Sequence, residues 1–567
     1  MRDQDQTTKA RDVFTQTGPA IIFGASCIAL SVAVSTEAWV AWFAHPVRVD
    51  RLGTIPTETI RGAELLGITA LIAGVTWILL PLLERFTRKD GPNAISSQPS
   101  ILDRRTLVGL LALVALAAVP RLLRIGESLW FDEIAALLSS SAHGVGPALG
   151  NFHTLANHLL HSAIVAWVVE GGADEISVRT PALIAGLLTV PAMYLLGRNA
   201  DDARFGWIAA AVVAFMPIAV LESVESRGYS FMILFAILST HQWLRIRESG
   251  PWSIEAYAVF ATLGCWSHLV FVVVPIGHTV ASVALALKNR RDRPLLRRIV
   301  IAELLAAATT LMVLSPILPD LLRQRSEFIA LDGDEPSWFG PEGWHAVLGL
   351  GGSWTWWAAV PGLLLAGFGT TEILRWPRLR SAVLAGIAGG IVILIITLGA
   401  QSWIYARFLV FMVVPMGLLI AAALRGIGDF EHRGILGPIV AVLLFAIWTT
   451  SVLTLRPKQP IREAVTELRT LTGPDASAWS VGLPEDVAAF YTLGQGPQLM
   501  RTGLLGSDLD ARALAVGPDH LLMLYPSRVS TEVLDLLRDA GFTIHREYEG
   551  WLDWTHGNVA IWTRAAD

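Results

Sequence analysis

The chain has 567 residues, of which 53% are hydrophobic and 16% charged, and its mean hydropathy is +0.53. This composition is too apolar for a soluble protein of that size and indicates a polytopic membrane protein. The net charge of −5 provides no basic surface for nucleic acid, so no DNA or RNA partner is expected.

Apolar stretches long enough to cross a bilayer as helices recur along most of the chain. A span needs about 20 such residues, and on that criterion the sequence predicts about thirteen spans. They are 18–44, 62–84, 106–123, 177–197, 205–221, 229–246, 253–268, 270–288, 298–318, 354–375, 381–399, 407–424 and 434–454.

The basic residues between these spans set an expected orientation. Lys and Arg cluster in the N-terminal tail and in three loops, all of which fall on one side of the membrane with this set of spans. The positive-inside rule makes that side cytoplasmic, so the loop 124–176 and everything after residue 455 face outward. The residues concerned are Arg2, Lys9 and Arg11; Arg85, Arg88, Lys89, Arg104 and Arg105; Lys288, Arg290, Arg291, Arg293, Arg297 and Arg298; and Arg375, Arg378 and Arg380.

The composition divides the chain into three predicted parts. Residues 1–105 hold a polar tail and two spans, 106–454 hold the other spans, and 455–567 regain polar and charged residues. In the last part, short apolar strands at 478–481, 520–524 and 559–562 alternate with helix-like stretches. The sequence therefore predicts a small extracytoplasmic α/β domain, in which no catalytic motif is evident.

An Asp-Glu pair follows the third predicted span, in the segment Ser-Leu-Trp-Phe-Asp-Glu-Ile at 128–134. Asp132 and Glu133 are expected at the lipid–water boundary, where two adjacent carboxylates are costly unless they have a function. A base there could deprotonate an acceptor while the other substrate waits in the lipid. The structural alternative is that the pair stabilises the N-terminus of a surface helix.

Two outward segments carry arginines suited to a lipid phosphate. Glu222, Glu225 and Arg227 lie between the fifth and sixth spans, and Arg407 lies at the start of a later one. The guanidinium fork matches two phosphate oxygens. The alternative is an arginine that snorkels beside its own glutamate.

Histidines in the outer loop raise the question of a metal. An interfacial helix is predicted over 153–170, with His153, Asn157, His158 and His161 on its polar side. Spacing alone favours hydrogen-bonded polar residues over metal ligands. We predict no metal site from these histidines, and the cofactor requirement stays open.

Several segments recur in the order found in a known family. They are Trp-Phe-Asp-Glu at 130–133, Asn-His-Leu-Leu-His at 157–161, the span beginning Arg-Thr-Pro-Ala-Leu at 179–183, Ser-Arg-Gly-Tyr at 226–229 and Tyr-Ala-Arg-Phe-Leu at 405–409. Together they resemble the bacterial GT-C glycosyltransferases of the protein O-mannosyltransferase and aminoarabinose transferase group. The resemblance covers about 106–425. It departs from many relatives at Asn157-His158-Leu159, where they carry His-Pro-Pro or Lys-Pro.

The resemblance implies a polyprenyl-phosphate sugar donor used at the outer face of a bacterial inner membrane. Asp132 would then be the general base of an inverting displacement, and Glu133 would orient the acceptor or tune Asp132. Charge on the leaving phosphate would be stabilised by groups from several segments, and an acid would serve as a possible second carboxylate. The donor-binding candidates are Arg227, His158, Asn157, Arg407 and Tyr229, and the second-carboxylate candidates are Glu222 and Glu225. The acceptor is left open among protein, lipid and glycan.

Two other classes of protein are compatible with a polytopic fold. A transporter or flippase also needs many spans, but it places ionisable groups near the bilayer midplane. Here the spans are nearly free of acids, and the charges cluster at the outer rim. A non-catalytic envelope assembly protein is the third possibility, against which the presence of both Asp132 and Glu133 argues.

Overall fold

The computed structural model describes most of the chain, and α-helices dominate it. The described residues are 2–85, 102–152, 157–247, 252–324, 341–399, 405–430, 434–472, 477–481, 487, 490–491, 498–501, 517–553 and 556–564.

The first predicted span is bent instead of continuous. Residues Gly18–Ala33 and Thr36–Phe43 form two helices that meet at 93°. Ser35 caps the second helix by accepting a hydrogen bond from the Ala38 N–H, which fixes the break. The four N-terminal helices are α1 (Arg2–Ala33), α2 (Thr36–Phe43), α3 (Pro46–Leu52) and α4 (Thr57–Arg85).

The central part of the chain forms a helical bundle with short helices in the loops between its long helices. The helices up to the middle of the chain are α5 (Arg104–Leu122), α6 (Phe131–Ser139), α7 (Val145–Gly150), α8 (Leu159–Val168), α9 (Glu175–Ala200), α10 (Ala203–Phe215), α11 (Pro217–Leu221), α12 (Tyr229–Arg247), α13 (Ser253–Ser267) and α14 (Val273–Lys288). The later helices are α15 (Arg293–Leu314), α16 (Leu318–Arg323), α17 (Pro341–Leu350), α18 (Trp356–Glu372), α19 (Pro377–Gly399), α20 (Val413–Phe430) and α21 (Leu436–Thr454).

Among the described residues, nine helices are long and apolar enough to cross a membrane, or up to eleven if each of two bent pairs counts as one span. The second bent pair breaks by 62° between α10 and Pro217, where proline ends the hydrogen-bond ladder. The predicted spans 229–246 and 253–268 form α12 and α13, which do not meet that criterion. Helix α12 is buried over nearly its whole length and uses polar side chains inside the bundle, while α13 has only 15 residues.

A small α/β domain follows the last span, as predicted. Its elements are α22 (Ile461–Thr472), β1 (Ser477–Val481), β2 (Gln498–Arg501), β3 (His520–Leu524), α23 (Thr531–Asp539), β4 (Phe542–Tyr548) and β5 (Val559–Arg564). The sheet has the strand order β2-β1-β3-β5-β4, with β1 parallel to β2 and β3, and β5 antiparallel to β3 and β4. The sequence did not predict β2 or β4. The middle residues of the edge strand β4 are exposed, so this strand shows no buried apolar pattern.

The domain shares a hydrophobic core with the loop that carries α6. Trp130 and Ile134 pack in one buried cluster with Ile461 and Leu522. The Leu129 N–H donates to the Tyr491 hydroxyl at 2.6 Å. This common core places the C-terminal domain directly over the Asp-Glu pair.

Candidate active site

Helix α6 begins at the Asp-Glu pair. The Trp130 N–H donates to Glu133 Oε2 at 3.2 Å, so the glutamate closes the first turn of its own helix. The two neighbouring carboxylates point to different surroundings: the Glu133 side chain is fully buried, whereas the Asp132 side chain is 17% exposed. The two adjacent carboxylates therefore lie in different environments, one closed to solvent and one in contact with it.

Glu133 forms a buried bidentate ion pair with Arg179 of α9. Arg179 Nε and Nη2 donate to the two carboxylate oxygens at 2.8 and 2.6 Å. The Ser226 N–H adds a third hydrogen bond at 2.5 Å, and Arg179 also donates to the backbone carbonyls that precede α6. With both oxygens engaged, this carboxylate joins α6, α9 and the loop after α11.

Asp132 lies between two arginines. Its Oδ2 is 3.2 Å from Nη2 of Arg407 and 3.7 Å from Nη2 of Arg227. Arg227 also donates to the Asp132 carbonyl at 3.3 Å. The structure thus brings together residues that the sequence separates widely, and it leaves Asp132 the more accessible carboxylate of the pair.

Every donor nitrogen of the Arg407 guanidinium has a partner. Nε donates to the Tyr229 hydroxyl at 3.1 Å and Nη1 to Asp553 Oδ1 at 2.7 Å, while Nη2 faces Asp132. The guanidinium carbon also lies 5.2 Å from the ring centre of Trp130. Burial raises the pKa of Asp553, but the nearby Arg407 and Lys458 charges outweigh burial and hold that pKa below its usual value.

A second ion pair lies beside the first. Lys458 Nζ is 2.6 Å from Glu225 Oε2 and 4.3 Å from the ring centre of Trp130. Burial lowers the pKa of Lys458, but the carboxylates of Glu225 and Glu222 outweigh burial, so the pKa is raised and the amine stays charged. Glu222 is buried, and its Oε2 has no hydrogen-bond partner among the described residues.

His158 precedes α8 and lies against the loop that holds Arg227. Its Nδ1 accepts a hydrogen bond from the Gly228 N–H at 2.9 Å, so Nε2 is the nitrogen that carries the proton. Burial first, and then the charge of Arg227, hold the pKa of His158 well below its usual value, which makes the ring neutral. A methyl group on Gly228 would lie 2.6 Å from that Nδ1 and 2.5 Å from the Ser267 carbonyl, so glycine is required there.

The polar side of the predicted helix 153–170 is only partly helical. Among the described residues, α8 begins at Leu159, so Asn157 and His158 belong to the segment before it. Asn157 donates both amide hydrogens to the carbonyls of Ala148 and Asn151. His161 is buried in α8, and His153 lies outside the described residues.

No group of three or more His, Cys, Asp or Glu side chains within the described ranges is arranged to hold a metal ion.

Two charged residues of this site, both beyond residue 455, were not predicted from the sequence. Asp553 lies in Trp-Leu-Asp-Trp at 551–554, and Lys458 lies in the linker before α22. Asp553 is flanked in the sequence by large apolar side chains, which indicates that it is buried. Since a carboxylate is rarely buried without a partner, this pattern could have identified Asp553 as a member of an ion pair. Lys458 carried no comparable signal.

A separate polar cluster lies inside the bundle. The Tyr257 hydroxyl donates to Glu303 Oε1 at 2.5 Å and lies 3.0 Å from His278 Nδ1, and His278 Nε2 is 3.0 Å from the Thr240 hydroxyl. Within the described part of the chain, no Lys or Arg forms an ion pair with Glu303. This cluster joins helices α12 to α15. It differs from the site around Asp132, because its carboxyl group has a hydroxyl partner and not an arginine or a lysine.

Part of the helical bundle matches the model of a known family. Residues 160–319 match the family model described as dolichyl-phosphate-mannose-protein mannosyltransferase. No curated protein sequence matches the chain.

Two solved structures share its fold. ArnT from Cupriavidus metallidurans in the apo state is 14% identical with a TM-score of 0.53, over 81% of this chain and 98% of that one. The same protein bound to undecaprenyl phosphate gives 14% identity and a TM-score of 0.51, over 80% and 98%. The shared fold confirms the predicted polytopic membrane fold, and the family-model match over residues 160–319 confirms the predicted resemblance to this group of glycosyltransferases.

Proposed function

We propose that the chain is a membrane glycosyltransferase that moves a sugar from a polyprenyl-phosphate-linked donor to an acceptor hydroxyl. The observation that carries the proposal is the partly exposed Asp132 carboxylate held between Arg227 and Arg407 at the end of the bundle. A proton acceptor beside two anion-binding groups suits a displacement in which a hydroxyl attacks and a phosphate leaves.

In the proposed reaction, Asp132 acts as general base. The acceptor oxygen attacks the anomeric carbon, its proton passes to the Asp132 carboxylate, and the bond between the anomeric carbon and the phosphate oxygen breaks. The polyprenyl phosphate leaves with the bonding electron pair, and the anomeric centre is inverted. Arg227 and Arg407 neutralise the charge that builds on the leaving phosphate, and the Nε2–H of His158 donates to it.

Donor binding also prepares the base. In the described structure the two arginines pair with Asp132, and each guanidinium can instead pair with a phosphate oxygen. When the phosphate pairs with these guanidinium groups, the Asp132 carboxylate is released from its two ion pairs and can take the proton of the acceptor hydroxyl. Arginines shared in this way couple donor binding to the release of the base.

The other predicted site residues receive supporting roles in this proposal. Glu133, saturated by Arg179, holds the first turn of α6 so that Asp132 is aimed correctly. Asn157 fixes the segment before His158 through its two backbone hydrogen bonds, and Tyr229 supports Arg407. Glu222 and Glu225 are the second-carboxylate candidates, with Glu225 already paired to Lys458.

Similarity to other proteins supports the donor class. The matched family is described by a dolichyl-phosphate-linked sugar, and one ArnT structure contains undecaprenyl phosphate. We extend that chemistry to this chain: a polyprenyl-phosphate sugar in the membrane, with the site at the outer face of a bacterial inner membrane. The acceptor is a protein, a lipid or a glycan that reaches the site from outside.

The decisive experiment measures sugar transfer in membranes that contain native acceptors. Wild type and Asp132→Asn are supplied with a panel of radiolabelled undecaprenyl-phosphate sugars. We expect one donor to be consumed and product to form only with wild type, with a loss of about 10²- to 10⁴-fold in the variant, the range typical of a general base.

The matched control is Asp174→Asn. Asp174 is an exposed acid of the same outer loop that caps α9, and asparagine caps helices equally well. Transfer should be unchanged in this control. Transfer that persists in Asp132→Asn would remove Asp132 as the base, and no turnover of any donor by wild type would contradict the proposed function.

A further inference from the structure

We propose that Asp553, supplied by the C-terminal domain, is a positioning residue of the candidate active site that holds Arg407 in place and shares its charge with Asp132. The inference rests on the proposed function and deepens it, because it makes the C-terminal domain part of the catalytic unit. Asp553 does not contact the reacting atoms in this scheme; it acts through Arg407.

The geometry of the contact is a clamp on both the backbone and the side chain of one residue. Asp553 Oδ1 accepts from Arg407 Nη1 at 2.7 Å, and Oδ2 accepts from the Arg407 backbone N–H at 3.1 Å. The two side chains are 2% and 5% exposed. The Asp553 carboxylate therefore fixes both the position of the Arg407 backbone and the direction of the Arg407 guanidinium.

The clamp also divides the charge of one guanidinium between two carboxylates. Nη1 of Arg407 goes to Asp553 and Nη2 goes to Asp132, at 2.7 and 3.2 Å. Without the Asp553 charge, the whole guanidinium would be free to pair with Asp132, and the site would be more positive by one charge. Asp553 thus keeps Asp132 available as a base.

The domain does not need this ion pair in order to dock. The Leu129 N–H bonds to the Tyr491 hydroxyl, Arg462 pairs with Glu175 at 2.7 Å, and α22 packs in the core it shares with α6. A buried ion pair adds little net stability compared with apolar packing, because both charges lose their hydration. Its location against Asp132 therefore indicates a role in the site.

The test separates binding of the lipid phosphate from turnover. Detergent-purified full-length wild type, Asp553→Asn and Asp553→Glu are compared for affinity toward undecaprenyl phosphate and for transfer from the donor that wild type uses. Asp519→Asn is the matched control, because Asp519 also pairs with an arginine of the C-terminal domain, Arg564, but is mostly exposed. Thermal unfolding and size-exclusion profiles show whether each variant is folded.

Opposite changes in the two measurements are expected for Asp553→Asn. Undecaprenyl phosphate should bind about tenfold more tightly, since the site loses one negative charge, while turnover should fall about tenfold or more. Asp553→Glu, which keeps the charge, should recover most of the turnover, and Asp519→Asn should match wild type.

Four results would overturn the inference. Affinity and turnover that fall together, or a variant that no longer folds, would assign Asp553 a purely structural role. Turnover equal to that of wild type would remove Asp553 from the site altogether. If wild type binds undecaprenyl phosphate but transfers no sugar, the proposed function is wrong. The affinity of Asp553→Asn for undecaprenyl phosphate then still tests the contact between Asp553 and Arg407. If wild type does not bind undecaprenyl phosphate, both proposals are wrong.

Discussion

Two buried polar regions among the described residues differ in the kind of partner that their carboxyl groups have. In the site around Asp132, here called the rim, carboxylates pair with guanidinium groups. Asp132 lies beside Arg227 and Arg407, and Asp553 pairs with Arg407. Inside the bundle, by contrast, the Glu303 cluster is built from hydroxyl and imidazole partners.

The difference has a physical meaning. Hydrogen bonds from hydroxyl and imidazole groups are enough to join helices inside a membrane, so helix packing accounts for the interior cluster. Several formal charges brought together at the rim cost more desolvation than packing requires, and one of them, Asp132, keeps contact with solvent. Variants of the two regions should therefore separate a loss of function from a loss of stability.

The largest effect on stability is expected from Glu133→Gln. The substitution leaves the Arg179 guanidinium buried without its carboxylate, which typically costs about 3–5 kcal/mol of unfolding free energy. Thermal unfolding in detergent measures the change, with Glu127→Gln as control because the Glu127 side chain is 33% exposed. Unaltered thermal stability of Glu133→Gln would show that the pair does not hold α6 in place.

The next largest effect is expected from Arg227→Lys. A lysine keeps the charge but loses the fork that matches two phosphate oxygens, so undecaprenyl phosphate should bind about ten- to a hundredfold more weakly. Equilibrium binding measures this, and Arg204→Lys is the control, since Arg204 forms an exposed ion pair with Asp429. Equal affinity in Arg227→Lys and wild type would place the phosphate elsewhere.

A smaller effect is expected from Gly228→Ala, which tests the neutral histidine of the rim. The added methyl group must displace the His158 ring or the Ser267 carbonyl, at an expected cost of about 1–3 kcal/mol. Transfer should fall because the Nε2–H of His158 moves away from the phosphate. Gly126→Ala is the control, since a methyl group there would meet no atom within 4 Å. Full transfer activity in Gly228→Ala would remove His158 from the proposed mechanism.

The smallest effect is expected from Glu303→Gln in the interior cluster. Glutamine keeps an acceptor for the Tyr257 hydroxyl, so the change in unfolding free energy should be about 1 kcal/mol or less, and sugar transfer should stay at the wild-type rate. Stability and transfer are measured together. A selective loss of transfer in Glu303→Gln would break the comparison, because it would give the interior cluster a functional role.

Much of the fold was predictable because its signals are local. Hydropathy over about 20 residues identified the segments that form the bundle, and buried apolar runs identified β1, β3 and β5. The break between α1 and α2 was missed, since the bend at Ser35 is a capping choice that leaves hydropathy unchanged. The exposed strand β4 was missed because its pattern is polar.

Sequence alone identified Asp132, Arg227 and Arg407 as candidates, because charges next to apolar segments stand out against their surroundings. The residues by themselves do not distinguish Asp132 from Glu133, which are chemically alike and adjacent, and the different roles predicted for them came from the family resemblance alone. Only the tertiary structure pairs Glu133 with a residue 46 positions away and Arg407 with Asp553, 146 positions away. The energy of an ion pair is set by the distance between its charges and by their burial. Both depend on how whole helices and the C-terminal domain pack together, and a local sequence pattern contains no information on that packing.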